Sequence, residues 1–276
     1  MSEQLGTARL ARAVAAADDS IRRAGRRLLE REPALEPHLL AARDAYARGY
    51  VRARAKANAV RYDAPVVPYR LVHVDPADVE SAREFTLAKF RLAGTVVGGD
   101  WDLTDARFAD MDVYRAYVAH FEEGVPWEET AFYDRVVREM EAGRVMWDCT
   151  SEAEFRERCR RLDELYDCIA EHGYRSQEEL SGGGLADPIS SGPRLKIERL
   201  NDEIAVHVAR DGELLFEDGR NRLSIAKVQG LETVPVRILR RHERWQAIRD
   251  AYVRGDPAVR EYGDHPDVRY LDFGGG

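Results

Sequence analysis

Residues 216–239 constrain the fold of this chain more than any other part of its sequence. A strand pattern ends at Glu217-Asp218, Gly219 follows, and a helical pattern begins directly after it and stops at Gly230. Residues 234–239 then form a second apolar strand pattern. Backbone amides in the first turn of a helix attract anions. The segment therefore predicts a strand, turn, helix and strand, with a possible anion site at the turn.

The residues just upstream predict a hairpin that leads into this unit. Ile204, Val206 and Val208 alternate with more polar neighbours, Asp211-Gly212 is a typical hairpin turn, and residues 214–216 form the returning strand. Further upstream, Ser151 and Glu154 form a capping-box pattern for a helix over residues 152–172, which Gly173 ends.

The remaining segments predict helices around a small sheet. Apolar residues three and four apart indicate a helix over residues 10–28, and a second one follows Pro37, so the N-terminal part is predicted to be a helical hairpin. Residues 71–74 predict a strand, followed by a turn at Asp75-Pro76 and a helix. Aromatic-rich helices are predicted between residues 108 and 145, and a loose tail is predicted around His265-Pro266-Asp267.

Two readings of the turn are compatible with the local pattern. Arg220 and Arg222 stand beside the helix amides, an arrangement that suits a phosphate chain. The alternative is a structural turn in which these arginines pair with Glu217 and Asp218. The local residues favour neither reading over the other.

The order of these elements resembles the N-terminal domain of the ParB/sulfiredoxin superfamily. The helix ends at Ile169-Ala170-Glu171-His172-Gly173, and Gln177 follows it. The box of that superfamily corresponds to Gly219-Arg220-Asn221-Arg222, Ala226-Lys227, Gly230 and Val234-Pro235-Val236. The resemblance covers residues 162–239, and more loosely the strand at residues 71–74.

The resemblance implies an α+β fold, a small mixed β-sheet of ParB/sulfiredoxin type surrounded by helices. We predict an N-terminal helical hairpin over residues 1–65 and a domain of this type over residues 66–240. A helical insertion at residues 105–150 interrupts the domain, and a C-terminal helix and tail occupy residues 241–276.

This sequence departs from the superfamily's pattern at positions that distinguish the functional branches of the superfamily. Partition proteins of the ParB type bind CTP and carry a DNA-reading domain downstream, for which the stretch after Leu239 is too short. Sulfiredoxins carry a nucleophilic cysteine in the box, where this chain has Arg220. The branch that remains resembles small-molecule kinases, which pass a phosphoryl group from a nucleotide to a hydroxyl.

This resemblance implies roles for individual residues. Gly219, Arg220, Asn221 and Arg222 are expected to bind the phosphates of ATP, ADP or CTP, with Gln177 and Arg175 beside them. Asp218 is the candidate catalytic base and the candidate Mg²⁺ ligand. Asp100 and Asp102 around Trp101 form a possible second acidic site, for which an ordinary Gly-Asp turn is the alternative.

We therefore expect a nucleotide-binding phosphotransferase that acts on a small hydroxylated substrate. The alternative is a non-enzymatic module, gated by CTP or ATP, that acts on DNA or a protein. The net charge of −8 argues against DNA as the partner. Three cysteines without paired spacing, and a sequence with neither a signal-peptide pattern nor a long apolar segment, predict a cytoplasmic protein without a membrane span. The sequence does not indicate an oligomeric state.

Overall fold

The computed structural model describes residues 32, 35–85, 89–183, 188–189 and 203–275. The predicted first helix of the N-terminal hairpin, at residues 10–28, lies outside these residues. The predicted second helix is present as α1, Glu36–Arg61, with Pro37 in its first turn, where a missing amide hydrogen costs nothing.

The described residues form one mixed sheet of six strands, in the order β1-β6-β4-β5-β2, with β3 paired to the remaining part of β6. The strands are β1 Leu71–Val74, β2 Ser81–Ala82, β3 Thr95–Val97, β4 Ile204–Val208, β5 Leu214–Asp218 and β6 Val234–His242. Strand β6 organises the sheet, because β1 pairs antiparallel with its first half, β3 pairs parallel with its second half, and β4 runs parallel to it.

Helices surround this sheet, which confirms the α+β class. After α1 come α2 Lys89–Leu92, α3 Asp112–Phe121, α4 Ala131–Glu141, α5 Glu152–His172, α6 Gln177–Gly183, α7 Arg220–Val228 and α8 Glu243–Val253. Helix α5 has the predicted bounds, because Ser151 Oγ accepts a hydrogen bond from Glu154 N and Gly173 ends the helix at φ 74°. Helices α3 and α4 lie within the predicted aromatic-rich insertion.

The two faces of the sheet differ in character. One face carries the apolar core, in which Val206, Val236 and Ile238 pack with Leu223 and Ala226 of α7. On the other face, Ala205 and Leu239 pack with residues of α1 and α2. The same face also bears Arg237 and Arg240, two charged residues of β6 that lie opposite Ala205 and His207 of β4.

A β-bulge accounts for this charged pattern. Ala205 pairs with Arg237 and Val206 with Ile238, but the register then shifts, so that His207 pairs with Arg240. The extra residue of β6 is Leu239, and the shift places Arg240 across from His207.

The helix predicted directly after Asp75-Pro76 is wrong. The Asp75 carboxylate accepts from Ala77 N at 2.8 Å and caps a single 3-10 turn, Pro76–Asp78, after which the chain becomes extended. Strand β2 then runs parallel to β5, and Arg83 N donates to Phe216 O at 2.8 Å. Pairing with the edge of β5 therefore overrides the local helix signal.

The loose tail predicted around residues 265–267 is also wrong. The Asp267 carboxylate is fully buried and accepts hydrogen bonds from Arg241 Nε at 2.7 Å and Trp245 Nε1 at 2.9 Å, while Arg249 lies within ion-pair distance. These contacts attach the C-terminal segment to β6 and α8. Among the helices described, none is both long enough and apolar enough to span a membrane.

Candidate functional site at the β5 to α7 turn

Gly219 allows the tight turn between β5 and α7. Its φ is +91°, in the left-handed region, and a Cβ atom there would lie 2.8 Å from the Cα of Ile204. No other residue type fits this position without displacing the backbone of β4. Helix α7 therefore begins directly at the end of β5.

The structure brings together Gln177 and Arg222, two of the residues that the sequence names as candidates for binding phosphate. With its amide oxygen turned towards Arg222, the Gln177 side chain accepts hydrogen bonds from Nη2 at 2.7 Å and Nη1 at 2.9 Å. Gln177 N donates to a Glu203 carboxylate oxygen at 2.6 Å, and both Gln177 and Arg222 are buried. Gln177 is thus fixed from both ends and holds Arg222 at the start of α7.

Asn221 and Arg175 take different positions around this pair. Asn221 is buried, and its Oδ1 atom has no hydrogen-bond partner among the described residues. Arg175 is half-buried in the loop before α6, where it lies close enough to Glu179 to lower the pKa of that carboxyl, after the larger effect of hydrogen bonds from Ser176.

Arg220 pairs across the turn with the segment that follows β2. Its Nη2 atom lies 2.5 Å from a Glu84 carboxylate oxygen, and its guanidinium carbon lies 5.7 Å from the centre of the Trp147 ring. About a third of the Arg220 side chain is exposed. In the structure, Arg220 pairs with Glu84 rather than with Glu217 or Asp218, and Arg222 contacts Gln177.

Asp218 ends β5 and forms an ion pair with Lys89 at the start of α2. Two more carboxylates, Glu84 and Glu217, lie near Asp218. Burial is the main cause of the raised pKa of Glu84, the charges of Glu217 and Asp218 raise this pKa further, and Arg220 opposes the rise. Three carboxylates, Glu84, Glu217 and Asp218, therefore lie near the turn together with the cations Lys89, Arg220 and Arg222.

A buried histidine and carboxylate lie beside this group. His207 Nε2 is 2.8 Å from Glu217 Oε2, which also accepts a hydrogen bond from Phe85 N at 2.9 Å. Burial raises the pKa of Glu217 to about 7. Burial and the neighbouring Arg240 and Arg83 hold the pKa of His207 well below its ordinary value.

Aromatic rings enclose the dyad of His207 and Glu217. The His207 ring contacts Phe85 edge-on at 5.2 Å and Trp101 edge-on at 5.8 Å, measured between ring centres. The Arg240 guanidinium carbon lies 4.2 Å from the centre of the Phe85 ring and 5.2 Å from that of Trp101. The dyad is thus separated from solvent by two aromatic side chains and a cation.

Asp100 and Asp102 are both bonded to Arg210. Asp102 accepts from Arg210 N at 2.9 Å and from Nε at 2.8 Å, and Asp100 accepts from Nη2 at 2.8 Å. Burial alone would raise the pKa of Asp102, but the hydrogen bonds from Arg210 outweigh it and lower the pKa to about 2. These contacts fit the alternative of a structural Gly-Asp turn.

The described residues contain no group of three or more His, Cys, Asp or Glu side chains that could hold a metal ion. A Mg²⁺ ion would therefore need phosphate oxygens in addition to Asp218 or Glu84, which is how Mg²⁺ is commonly bound with nucleotides. The buried Cys159 thiol has its pKa raised by burial to about 12, so it is not a reactive thiolate.

Several residues of this site are absent from the sequence prediction. Glu84, Lys89 and Trp147 reach the turn from segments that are distant in the sequence, and no local pattern marks them. His207 carries a weak signal, because it is a polar residue within an otherwise apolar strand pattern.

Comparisons with known proteins found no match to this chain, whether against protein-family models, curated proteins or solved structures.

Proposed function

We propose that the protein binds a nucleoside di- or triphosphate at the β5 to α7 turn and transfers a phosphoryl group to a small hydroxylated substrate. One observation carries the proposal, namely that Lys89, Arg220 and Arg222 gather at a turn where Gly219 permits close approach, beside three carboxylates. Phosphoryl transfer requires these parts, because catalysis rests on positioning and on neutralising charge.

The ion pairs at the turn support an exchange of partners on nucleotide binding. Lys89 and Arg220 now neutralise Asp218 and Glu84. Phosphate oxygens would compete for both cations, and the released carboxylates could then hold Mg²⁺, which reduces the charge of the phosphates when bound.

Asp218 is the residue best situated to receive the acceptor's proton. Its side chain is about 39% exposed, so a substrate can reach it, whereas Glu217 is almost fully buried. The hydroxyl oxygen of the acceptor forms a bond to the terminal phosphorus. The bond to the bridging oxygen breaks, its electron pair leaves with the nucleotide product, and the hydroxyl proton passes to Asp218.

The same contacts support a second function, a nucleotide-gated binding module. Lys89 and Glu84 contact the turn through ion pairs with Asp218 and Arg220. Phosphates that compete for Lys89 and Arg220 would break these ion pairs without requiring any chemistry. This function resembles that of the CTP-binding branch of the superfamily that the sequence suggests.

Calorimetry with Mg²⁺ and each of ATP, ADP and CTP tests the proposal. Binding of at least one nucleotide is expected, and Arg222→Gln should weaken it by about tenfold or more, because a charge-assisted hydrogen bond is worth roughly 1.5–3 kcal/mol. The matched control is Arg254→Gln, an exposed arginine paired with Asp63 on another part of the surface. Failure of all three nucleotides to bind would refute the proposal.

Turnover separates the two functions. A phosphotransferase carrying Asp218→Asn should still bind nucleotide and should lose about 100-fold or more in kcat, since general base catalysis typically contributes that much. If nucleotide binds but no hydroxylated metabolite supports turnover in the unmodified protein, the gated module is the better description.

A further inference from the structure

A cavity of about 590 Å³ lies beside the C-terminal end of α7. The residues that line it belong to three segments, 75–80 between β1 and β2, 107–114 before and within α3, and 226–232 at the end of α7. Lys227, one of the lining residues, follows Arg220 by seven positions, which is about 10 Å along a helix. No described residue assigned to the nucleotide site lines this cavity. Its volume is typical of small-molecule sites, so it is a second and separate place where a ligand can bind.

The walls of the cavity are apolar on the side of the core. Val79, Phe108 and Ala226 are buried members of the core, and Tyr114 and Leu231 pack against it. Such walls fit a short carbon chain or a ring, because they remove apolar surface of a ligand from water.

Lys227 places an amino group at the wall of the cavity. Its Nζ atom lies 5.7 Å from the centre of the Phe108 ring and 3.5 Å from the carbonyl oxygen of Ala77, and both of these residues line the cavity. Lys227 forms no ion pair with any residue that the structure describes. The half-buried amine is therefore held by one long hydrogen bond, which leaves it able to contact a ligand.

The surroundings of Lys227 act on its charge in two ways. Burial lowers the pKa of Lys227, against the opposing charges of Glu80, Asp75 and Asp78. A lower pKa increases the fraction of the neutral amine, which is the nucleophilic form. The carboxylates stabilise positive charge at the same nitrogen. This position therefore suits a nucleophile whose product is a cation.

The charges around the cavity favour a neutral ligand. The acidic residues Asp75, Glu80 and Glu232 line it. Glu80 is paired with Arg107, and both side chains of this pair are largely exposed. An anionic ligand would be repelled by the other two carboxylates, and a cationic ligand would be repelled by Lys227. A carbonyl group is neutral and reacts with an amine, so it fits both the charges and the nucleophile.

We infer that the cavity binds a small neutral aldehyde or ketone, which Lys227 captures as an imine. The lone pair of Nζ forms a bond to the carbonyl carbon. The two amine hydrogens then leave with the carbonyl oxygen as water, a carbon–nitrogen double bond remains, and no oxidant or reductant is consumed. Hydrolysis reverses the step, so the site holds its ligand covalently but reversibly.

Reductive trapping measures this reaction on the full chain. Butanal with sodium cyanoborohydride converts an imine into a stable secondary amine, which adds mass to the peptide that carries the lysine. The chain has four lysines, Lys56, Lys89, Lys196 and Lys227, so each can be followed by mass spectrometry. Lys227 should be labelled at least about tenfold faster than Lys56, an exposed lysine of α1, because the cavity holds the aldehyde beside the amine. Equal rates at these two lysines would overturn the inference.

The concentration and charge of the aldehyde provide a second test on the unmodified protein. Labelling of Lys227 should saturate as the butanal concentration increases, whereas labelling of Lys56 should rise in proportion, because only Lys227 reacts from a bound complex. 4-Oxobutanoate has the same chain length with an added carboxylate, and it should label Lys227 more slowly than butanal does, relative to Lys56. Labelling of Lys227 without saturation, or faster labelling by 4-oxobutanoate, would refute a site for a neutral carbonyl compound.

A variant that fills the cavity assigns the reaction to it. Ala109 is exposed and lines the cavity, so Ala109→Trp should reduce labelling of Lys227 to the rate of Lys56 and leave Lys56 unaffected. The matched control is Ala142→Trp at the exposed end of α4, which should leave both rates unchanged. Undiminished labelling of Lys227 in Ala109→Trp would show that the cavity does not hold the aldehyde. None of these measurements involves nucleotide, so their failure and the failure of the proposed function are distinguishable.

Discussion

Glu217 makes the stability of the protein depend on pH in a predictable direction. Burial raises the pKa of its carboxyl from 4.5 to about 7, under the opposing effects of Asp218 and of Arg240, Lys89 and the Phe85 amide. The folded state therefore holds the proton more tightly than the unfolded state. The resulting stability is fully present below pH 4.5 and is lost as the pH rises through about 7.

Glu217→Gln removes this dependence while preserving the side chain's shape. Glutamine can still accept from Phe85 N and can donate to His207. A pKa shift from 4.5 to about 7, at 1.36 kcal/mol per pKa unit, changes the free energy of unfolding by about 3 kcal/mol between pH values below 4.5 and pH values above 7. The variant should thus be more stable than the parent at pH 8.5, by up to about 3 kcal/mol or roughly 6–12 °C in Tm, and the difference should shrink towards pH 5.

Urea denaturation of both proteins across pH 5–8.5 measures this difference. The low pKa of His207 also makes stability depend on pH, because the folded protein holds this histidine neutral and loses stability as the pH falls below the pKa of an unfolded histidine. Both proteins retain His207, so this effect cancels in the comparison. Glu213→Gln, an exposed position in the same hairpin, is the matched control and should follow the parent at every pH. A constant difference between Glu217→Gln and the parent, or one that grows towards pH 5, would refute the reasoning.

Two further substitutions test the turn and the C-terminal segment. Gly219→Ala should destabilise the protein by on the order of 2–3 kcal/mol in urea denaturation, because alanine is strained at φ +91° and its Cβ would meet the Ile204 backbone. A loss of stability below about 0.5 kcal/mol would contradict the geometry of the turn. Asp267→Asn should cost about 3–5 kcal/mol, since it leaves the buried Arg241 and Arg249 without their anion. Its control is Asp63→Asn, which removes an exposed ion pair with Arg254 and should cost less than about 1 kcal/mol. Similar losses in the two aspartate variants would mean that the buried cluster contributes no special stability.

Local signals were sufficient to predict the elements that surround the turn. The alternation of Ile204, Val206 and Val208 predicts β4, and glycines predict the ends of α5 and α7 within one or two residues. These predictions depend on neighbours in the sequence, so the chain alone contains the necessary information.

Long-range pairing explains what the sequence did not predict. Residues that follow Asp75-Pro76 have a helical composition, yet the open edge of β5 draws Ser81 and Ala82 into a strand. The tail residue Asp267 finds buried partners on β6 and α8 that no nearby pattern indicates. The strand at Ser81–Ala82 and the burial of Asp267 both depend on the strand edge and the buried arginines that the rest of the folded chain provides.

The residues of the candidate site also fall into those that the sequence named and those that only the folded chain brings together. The sequence named Arg222 and Gln177 separately as candidates, through the resemblance in the order of elements, and the structure has them in contact. Glu84, Lys89 and Arg240 come from three separate elements, and only the sheet order brings them near Asp218 and Glu217. The resemblance to the ParB/sulfiredoxin superfamily therefore remains a prediction that the binding experiments can support or refute.

The extra residue in β6 lets one strand meet two incompatible requirements. Before the bulge, Arg237 lies on the polar face and Ile238 in the core, and strict alternation would then place Arg240 in the core and Arg241 on the polar face. Because the bulge leaves Leu239 outside the pairing, Arg240 lies on the polar face with His207, and Arg241 reaches the buried Asp267. Leu239 packs with residues of α1 and α2 on the same face as Arg240, so this strand supplies an apolar contact and a charged side chain next to each other without losing Arg241 from the buried cluster.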